Sequence, residues 1–254
     1  MEFGLNLFSI RNLTNTEAEF KDTLIKLKEM GYSFIQYSGV KIPFNPELLS
    51  IVSAELDMPI VLTHMPANRI INETEALMEE HSLFGCKNIG LGCMNPQVIA
   101  DEKACKETIE KLNIAAEKMV NNGFSFFYHN HHFEFIKYGG ETVLDYMIKN
   151  APYINFTLDT YWVQYGGASI AEYVEKLNGK IGCVHLKDYL VDPDKGITPR
   201  FAPVGDGNIN FKSLIPKMIE CGVKHFIVEQ DNAADFPDTL EQVKRSINYL
   251  KGEF

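Results

Sequence analysis

The chain has few of the features that mark secreted or membrane-spanning proteins. Its five cysteines are an odd number and include no C-x-x-C pair, so they do not form the pattern of a disulfide framework. No apolar run approaches the ~20 residues of a membrane span. The first residues, MEFGLNLFSI, lack the basic start and small-residue cleavage site of a signal peptide. We therefore expect a cytoplasmic protein.

Positive charge is also scarce, since 24 Lys and Arg stand against 34 Asp and Glu and give a formal net charge of −10. Nucleic-acid binding needs a basic surface, so we expect neither a nucleic-acid nor a membrane partner. No G-x-G-x-x-G or G-x-x-x-x-G-K-[ST] motif opens a helix, which argues against dinucleotide and P-loop sites. The expected partner is a small molecule, with a homo-oligomer left open.

Eight short apolar segments alternate with amphipathic helices along the 254 residues. The segments are EFGLNLFSI, SFIQYSG, MPIVLTHM, CKNIGLGCM, FSFFYHN, YINFTLD, KIGCVHL and KHFIVEQ. This alternation predicts a parallel sheet. Eight units at this length favour closure into a (β/α)8 TIM barrel over an open doubly wound sheet. We predict a single domain over 1–254, a first helix capped by Thr14 or Asn15, and a loop over roughly 188–208.

Polar residues that can bind metal or substrate follow several of these apolar segments. They are His64, His129, His131, Glu134, Asp159, His185, Lys187 and Glu229. The carboxyl ends of barrel strands converge on one face, so these side chains should lie together. Histidine with several carboxylates is a donor set for a divalent metal.

Several of these residues have more than one interpretation. Asp159 is either a metal ligand or a cap for the turn that follows it. Glu229 follows the apolar run HFIV, and a buried carboxylate needs a cation, for which a metal is the simplest choice. His129 and His131 alternate and could coordinate metal, bind sugar hydroxyls or orient Glu134. Lys187 could bind a substrate anion, act as an acid or base, or lie at the surface.

Four motifs, YHNHHFEF, LDTYWV, HLKD and VEQD, occur in this order at the predicted strand ends. In this the chain resembles the sugar phosphate isomerase/epimerase family of xylose isomerase-like TIM barrels, whose relatives include inosose dehydratases and ketose 3-epimerases. The resemblance implies a (β/α)8 barrel that binds a divalent ion, Mn, Mg, Co or Zn. It implies Asp159, His185 and Glu229 as metal ligands, with Glu134 in the place of the family's first glutamate.

The resemblance also implies a reaction. A base, Glu229 or Glu134, removes a proton next to a sugar carbonyl through a metal-stabilised enediolate, with Lys187 as a further catalytic group. The expected substrate-binding residues are His64, His129, His131, Trp162 and Arg200, with Phe8 beside Trp162 as an apolar wall. An inosose dehydratase-type lyase and a non-catalytic sugar-binding barrel are the alternatives. The related endonucleases need a trinuclear zinc site with more histidine ligands and a basic DNA-binding face. The seven histidines and the net charge of −10 therefore argue against an endonuclease.

Overall fold

In the computed structural model, which describes residues 1–193 and 196–254, eight parallel strands close into a barrel. Each strand pairs with its neighbours in sequence, and the eighth pairs with the first through Phe226 opposite Phe3. The predicted TIM barrel is confirmed. The strands are β1 (Phe3–Asn6), β2 (Phe34–Tyr37), β3 (Ile60–His64), β4 (Asn88–Leu91), β5 (Ser125–His129), β6 (Ile154–Asp159), β7 (Ile181–Leu186) and β8 (His225–Val228).

Helices connect the strands and form the outer layer. They are α1 (Glu17–Met30), α2 (Pro46–Leu56), α3 (Ala67–Asn72), α4 (Thr74–Leu83), α5 (Pro96–Ile99), α6 (Glu102–Asn121), α7 (Val143–Asn150), α8 (Thr160–Tyr165), α9 (Ile170–Lys176), α10 (Phe211–Glu220) and α11 (Thr239–Glu253). Within the two described ranges, no helix is both long enough and apolar enough to cross a membrane.

Three local predictions are corrected by the structure. The first strand ends at Asn6, because the Asn6 side chain accepts a hydrogen bond from the Phe8 N–H and starts a 3-10 segment over Leu7–Leu13. Helix α1 is capped by Thr16, whose hydroxyl accepts from the Glu19 N–H. Residues 188–208 are not simply a loop, since Asp188–Asp192 pairs with Thr198–Ala202 in an antiparallel hairpin.

The inside of the barrel is built in layers. An inner apolar cluster is separate from the large core between strands and helices, and consists of Phe34, Leu62, Phe127, Cys183 and Ile227. Side chains alternate along a strand, so the residue two positions later faces the same way. Those residues are Gln36, His64, His129, His185 and Glu229. The periodicity that fills the barrel therefore also presents a polar layer at its carboxyl end.

Candidate active site

Four buried side chains from four consecutive strands form one cluster. They are His129 at the end of β5, Asp159 at the end of β6, His185 on β7, and Glu229 directly after β8. One potential ligand atom of each lies within 4.8 Å of the other three. Three of the four are the predicted ligands Asp159, His185 and Glu229.

His129 turns a lone pair toward this cluster. Its Nδ1 lies 2.8 Å from the Gly92 carbonyl oxygen, which can only accept, so Nδ1 carries the hydrogen. Nε2 then faces Asp159 Oδ2 at 3.2 Å. Burial alone would lower the pKa of His129, but the hydrogen bond and charge of Asp159 outweigh it and raise this pKa. A positive charge is therefore favoured at this point, whether a proton or a metal ion supplies it.

A chain of hydrogen bonds orients His185 in the same way. Its Nε2 donates to Gln36 Oε1 at 2.6 Å, Gln36 Nε2 donates to His64 Nε2 at 2.8 Å, and His64 Nδ1 lies 3.0 Å from Ser38 Oγ. This leaves a lone pair on His185 Nδ1, 2.6 Å from Glu229 Oε2. Both atoms are buried, and among the described residues neither has a well-formed hydrogen bond, although the Lys187 ammonium lies 3.3 Å from Glu229 Oε2. Two facing lone pairs repel each other unless a cation binds both.

Lys187 supplies part of the positive charge. Its Nζ lies 2.9 Å from Asp159 Oδ2, 3.3 Å from Glu229 Oε2 and 3.0 Å from Asp231 Oδ1. Burial alone would lower the pKa of Lys187, but the charges of Asp159, Glu229 and Asp231 outweigh it and raise this pKa. Three carboxylates against one ammonium leave two negative charges, which a divalent ion would offset. The donor types, lone pairs and charge all fit such an ion.

Asp159 can cap a helix and face the cluster at the same time, because a carboxylate has two oxygens. Oδ1 accepts a hydrogen bond from the Trp162 N–H at 2.9 Å and caps α8. Oδ2 faces the cluster. Burial, the largest influence, would raise the pKa of Asp159, but the Lys187 charge and the His129 hydrogen bond hold it below its usual value. The cap fixes the rotamer in which Oδ2 faces the other donors.

Glu134, predicted as a fourth ligand, is not brought to this cluster, and His129 takes that place. Its carboxylate accepts hydrogen bonds from the Tyr128 hydroxyl at 2.6 Å and the His131 N–H at 2.8 Å. Tyr128 precedes His129 on β5 and faces outward, and the 3-10 turn Phe133–Phe135 directs Glu134 to that side. Burial raises the pKa of Glu134 to about 7, although both hydrogen bonds act in the opposite direction.

A cavity of about 340 Å³ opens next to the donors. The predicted substrate residues His64, His129 and His131 line it, together with Phe8, Lys187 and Glu229. Burial, with the charges of His129 and Lys187, lowers the pKa of His131 to about 2, so its ring is neutral.

Two other predicted substrate residues lie further from the cavity. The Trp162 ring lies 5.3 Å from that of His131, and its indole Nε1 is buried with no hydrogen-bond partner among the residues described. Arg200 lies on the hairpin and is paired with Asp192, so it is not brought to the cavity wall.

The side of the site opposite the donors also contains residues that the sequence analysis did not select. Gln36 and Ser38 follow the apolar Phe34 at the same two-residue spacing as the chosen residues, and that spacing could have identified them. A Cβ on Gly90 would lie 2.6 Å from the Thr63 carbonyl oxygen, and one on Gly92 would lie 2.7 Å from His64 Nδ1. Glycine at both positions leaves room for the His64 ring and for the cavity.

Solved structures share this architecture at low sequence identity. A sugar phosphate isomerase/epimerase from Parabacteroides distasonis has a TM-score of 0.80 at 19% identity, covering 98% of this chain and 93% of that one. A probable 3-DHS dehydratase from Bacillus anthracis has a TM-score of 0.71 at 15% identity, covering 99% of both. A xylose isomerase-like TIM barrel protein from Mycobacterium smegmatis, in complex with magnesium, has a TM-score of 0.72 at 16% identity, covering 98% and 95%.

These likenesses establish the fold alone, because every identity is below 25%. No curated protein sequence matches the chain. The family model of the xylose isomerase-like TIM barrel matches residues 24–252, nearly the whole sequence. Its match agrees with the closed parallel barrel and with the motifs at the strand ends. The chain belongs to the xylose isomerase-like TIM barrel family.

Proposed function

We propose that the protein is a divalent-metal-dependent sugar isomerase or epimerase that moves a proton next to the carbonyl of a keto-sugar or cyclitol. The observation that carries this proposal is the convergence of two histidine lone pairs and two carboxylates beside a cavity. His129 Nε2, Asp159 Oδ2, His185 Nδ1 and Glu229 Oε2 would hold the ion. The cavity of about 340 Å³ lies within the range of small-ligand sites.

When bound, a divalent ion such as Mn, Mg, Co or Zn supplies Lewis acidity that polarises the substrate carbonyl. Glu229 is the proposed base. Although burial, the largest influence, would raise the pKa of Glu229, the charge of Lys187 holds it well below its usual range. Glu229 is therefore ionised, it lines the cavity, and it can accept a proton from a substrate carbon within reach.

Lys187 supplies a fixed positive charge in this proposal. Because its pKa is raised, the ammonium keeps its proton, and its charge beside Glu229 can stabilise negative charge that develops on a substrate oxygen in the cavity. His64 lies on the opposite wall, and burial, with the charge of His129, lowers its pKa well below the usual value. Since Nε2 of the neutral His64 accepts from Gln36, Nδ1 donates to Ser38, and the Ser38 O–H can bind a substrate hydroxyl without adding charge to the site.

A lyase on the same site is the second candidate. Proton abstraction by Glu229 next to a carbonyl also starts the loss of a hydroxyl from the following carbon. His64 and Ser38 lie across the cavity and could hydrogen-bond such a leaving hydroxyl. The probable 3-DHS dehydratase from Bacillus anthracis has the same fold, and dehydration is a reaction of this type. Detection of an unsaturated product would favour the lyase over the epimerase.

The test is exchange of substrate α-hydrogen with deuterated water, because exchange reports proton abstraction whatever the product. Metal-loaded wild-type protein should exchange the α-hydrogen of one or more keto-sugars or inososes. Glu229→Gln should retain metal and lose ~100-fold or more of the exchange rate. Glu134→Gln is the matched control, since it makes the same chemical change outside the cluster and should keep exchange. Near wild-type exchange by metal-loaded Glu229→Gln would contradict the proposed role of Glu229.

A further inference from the structure

The positively charged side chains of Lys187, Arg11 and Arg200 each contact carboxylate or carbonyl oxygens of the protein. Resting on the proposed function, we infer that the site takes an uncharged keto-sugar or cyclitol and discriminates against the phosphorylated or carboxylated form of the same molecule. The inference concerns the described residues that surround the cavity and the charges that they carry.

The first observation is that Lys187 is already surrounded by carboxylates. Oxygens of Asp159, Glu229 and Asp231 lie 2.9, 3.3 and 3.0 Å from its Nζ. A phosphate would compete with these carboxylates for the ammonium, and a displaced carboxylate would be a buried negative charge without its partner.

The second observation is that Arg11 and Arg200 also contact groups of the protein. Arg11 Nη1 donates to the Phe8 carbonyl oxygen at 2.9 Å and to the Asp231 carbonyl oxygen at 3.0 Å, and Nη2 lies 3.9 Å from Asp235. Arg200 is paired with Asp192 on the hairpin. Neither guanidinium is among the groups that line the cavity.

The third observation is the charge of the site. A divalent ion together with Lys187 would balance Asp159, Glu229 and Asp231. A phosphate ester would then bring a charge of about −1.5 to −2 into a site whose carboxylates the ion and Lys187 already balance. Burying a charge without a partner is costly.

Uncharged hydroxyl groups, in contrast, have partners at this site. The indole N–H of Trp162 and Nδ1 of His131 are buried and make no hydrogen bond within the described part of the chain. Their rings lie 5.3 Å apart, and His131 lines the cavity. Ser38 and His64 line the other side. These groups can donate to or accept from hydroxyls without adding charge.

The experiment compares matched pairs on the metal-loaded protein: D-ribulose with D-ribulose 5-phosphate, and D-fructose with D-fructose 6-phosphate. In α-deuterium exchange, kcat/KM for the uncharged member of a pair should exceed that of its phosphate ester by at least ~100-fold, because the ester's charge has no partner. Equal or faster exchange of the phosphate ester would overturn the inference.

A charge variant tests the cause of the discrimination. Asp231→Asn removes one negative charge from the cavity wall. In this variant, the ratio of kcat/KM for the uncharged sugar to kcat/KM for its phosphate ester should fall by about tenfold. Asp22→Asn makes the same charge change on the outer face of α1, where Asp22 pairs with Lys26, and should leave the ratio unchanged. An unaltered ratio in Asp231→Asn would count against the role of these charges.

Binding separates this inference from the proposed function. If no probe exchanges deuterium, the proposed function fails, and the melting temperature of chelator-treated protein decides the inference. Stabilisation by the uncharged sugars alone supports the inference. Stabilisation by the phosphate esters that is lost in His131→Ala overturns it, and so does the absence of stabilisation by either member.

Discussion

Replacing Lys187 with methionine keeps the length of the side chain and removes its charge. Three carboxylates then lose the ammonium that lies about 3 Å from each. Removing one partner of a buried ion pair costs about 3–5 kcal/mol. In a protein of this size each kcal/mol shifts Tm by ~2–4 °C, so the Tm of the metal-free variant should fall by ~6–20 °C.

A divalent ion should restore part of this loss, because it brings compensating charge to Asp159 and Glu229. The ion should therefore stabilise Lys187→Met more than wild type, by at least ~1.4 kcal/mol, which corresponds to a tenfold tighter Kd. Calorimetric melting with chelator or with Mn²⁺, and titration of Mn²⁺ into metal-free protein, measure the two quantities. An equal loss of Tm in both conditions, with an unchanged Kd, would refute the reasoning.

Lys180→Met is the matched control for this experiment. Lys180 is partly buried, and its Nζ contacts the carbonyl oxygen of Ile148 at 3.3 Å instead of a carboxylate. The variant should change Tm only slightly, and by the same amount with and without the ion. A metal-dependent effect of Lys180→Met would show that loss of any lysine charge alters metal binding.

Three further predictions follow from the same contacts. His185→Ala should lose most of the bound metal, whereas His225→Ala, at the other end of the barrel, should retain it; equal metal content in the two would exclude His185 as a ligand. The pKa of Glu134 is raised to about 7 in the folded protein from an ordinary 4.5. The stabilising effect of the neutral carboxyl group is therefore complete below pH 4.5 and is lost as the pH rises through about 7. Wild type should therefore lose up to ~3 kcal/mol of unfolding free energy between about pH 5 and about pH 8 that Glu134→Gln keeps, as urea unfolding will show; parallel pH profiles would contradict this. Trp162→Phe should raise KM about 5- to 10-fold with little change in kcat, since it removes one hydrogen-bond donor; an unchanged KM in steady-state kinetics would remove the indole N–H from the substrate site.

The architecture and most of the candidate site could be predicted because both depend on local patterns. The alternation of apolar segments and helices indicated the barrel. The two-residue period of a strand placed Asp159, His185 and Glu229 at converging ends. That Asp159 caps a helix and also faces the cluster could not be predicted, because the cap depends on whether Thr160 starts a helix, and α8 packs against the neighbouring strands β6 and β7.

Other features depend on distances that no local pattern contains. Glu134 lies outside the cluster because its carboxylate accepts hydrogen bonds from the Tyr128 hydroxyl and the His131 N–H on the outer side of β5. His129 takes its place because its ring lies within reach of Asp159 on the next strand, 30 residues away. The hairpin pairs Tyr189 with Phe201 across a segment rich in proline and glycine, which by composition resembles a loop.

The four donors arise from β5 to β8, whereas β2 to β4 contribute uncharged residues and the glycines that leave the cavity open. The half of the barrel formed by β5 to β8 therefore carries the groups that could bind a cation, and the half formed by β2 to β4 determines the shape of the cavity. Substitutions in the second half can change which molecule fits without removing a donor. Gln36 is the point where the halves meet, because it holds the His185 ring by a hydrogen bond. A library that varies the residues around Ser38 and Gly92 but keeps Gln36 would therefore diversify substrates on a constant ion site.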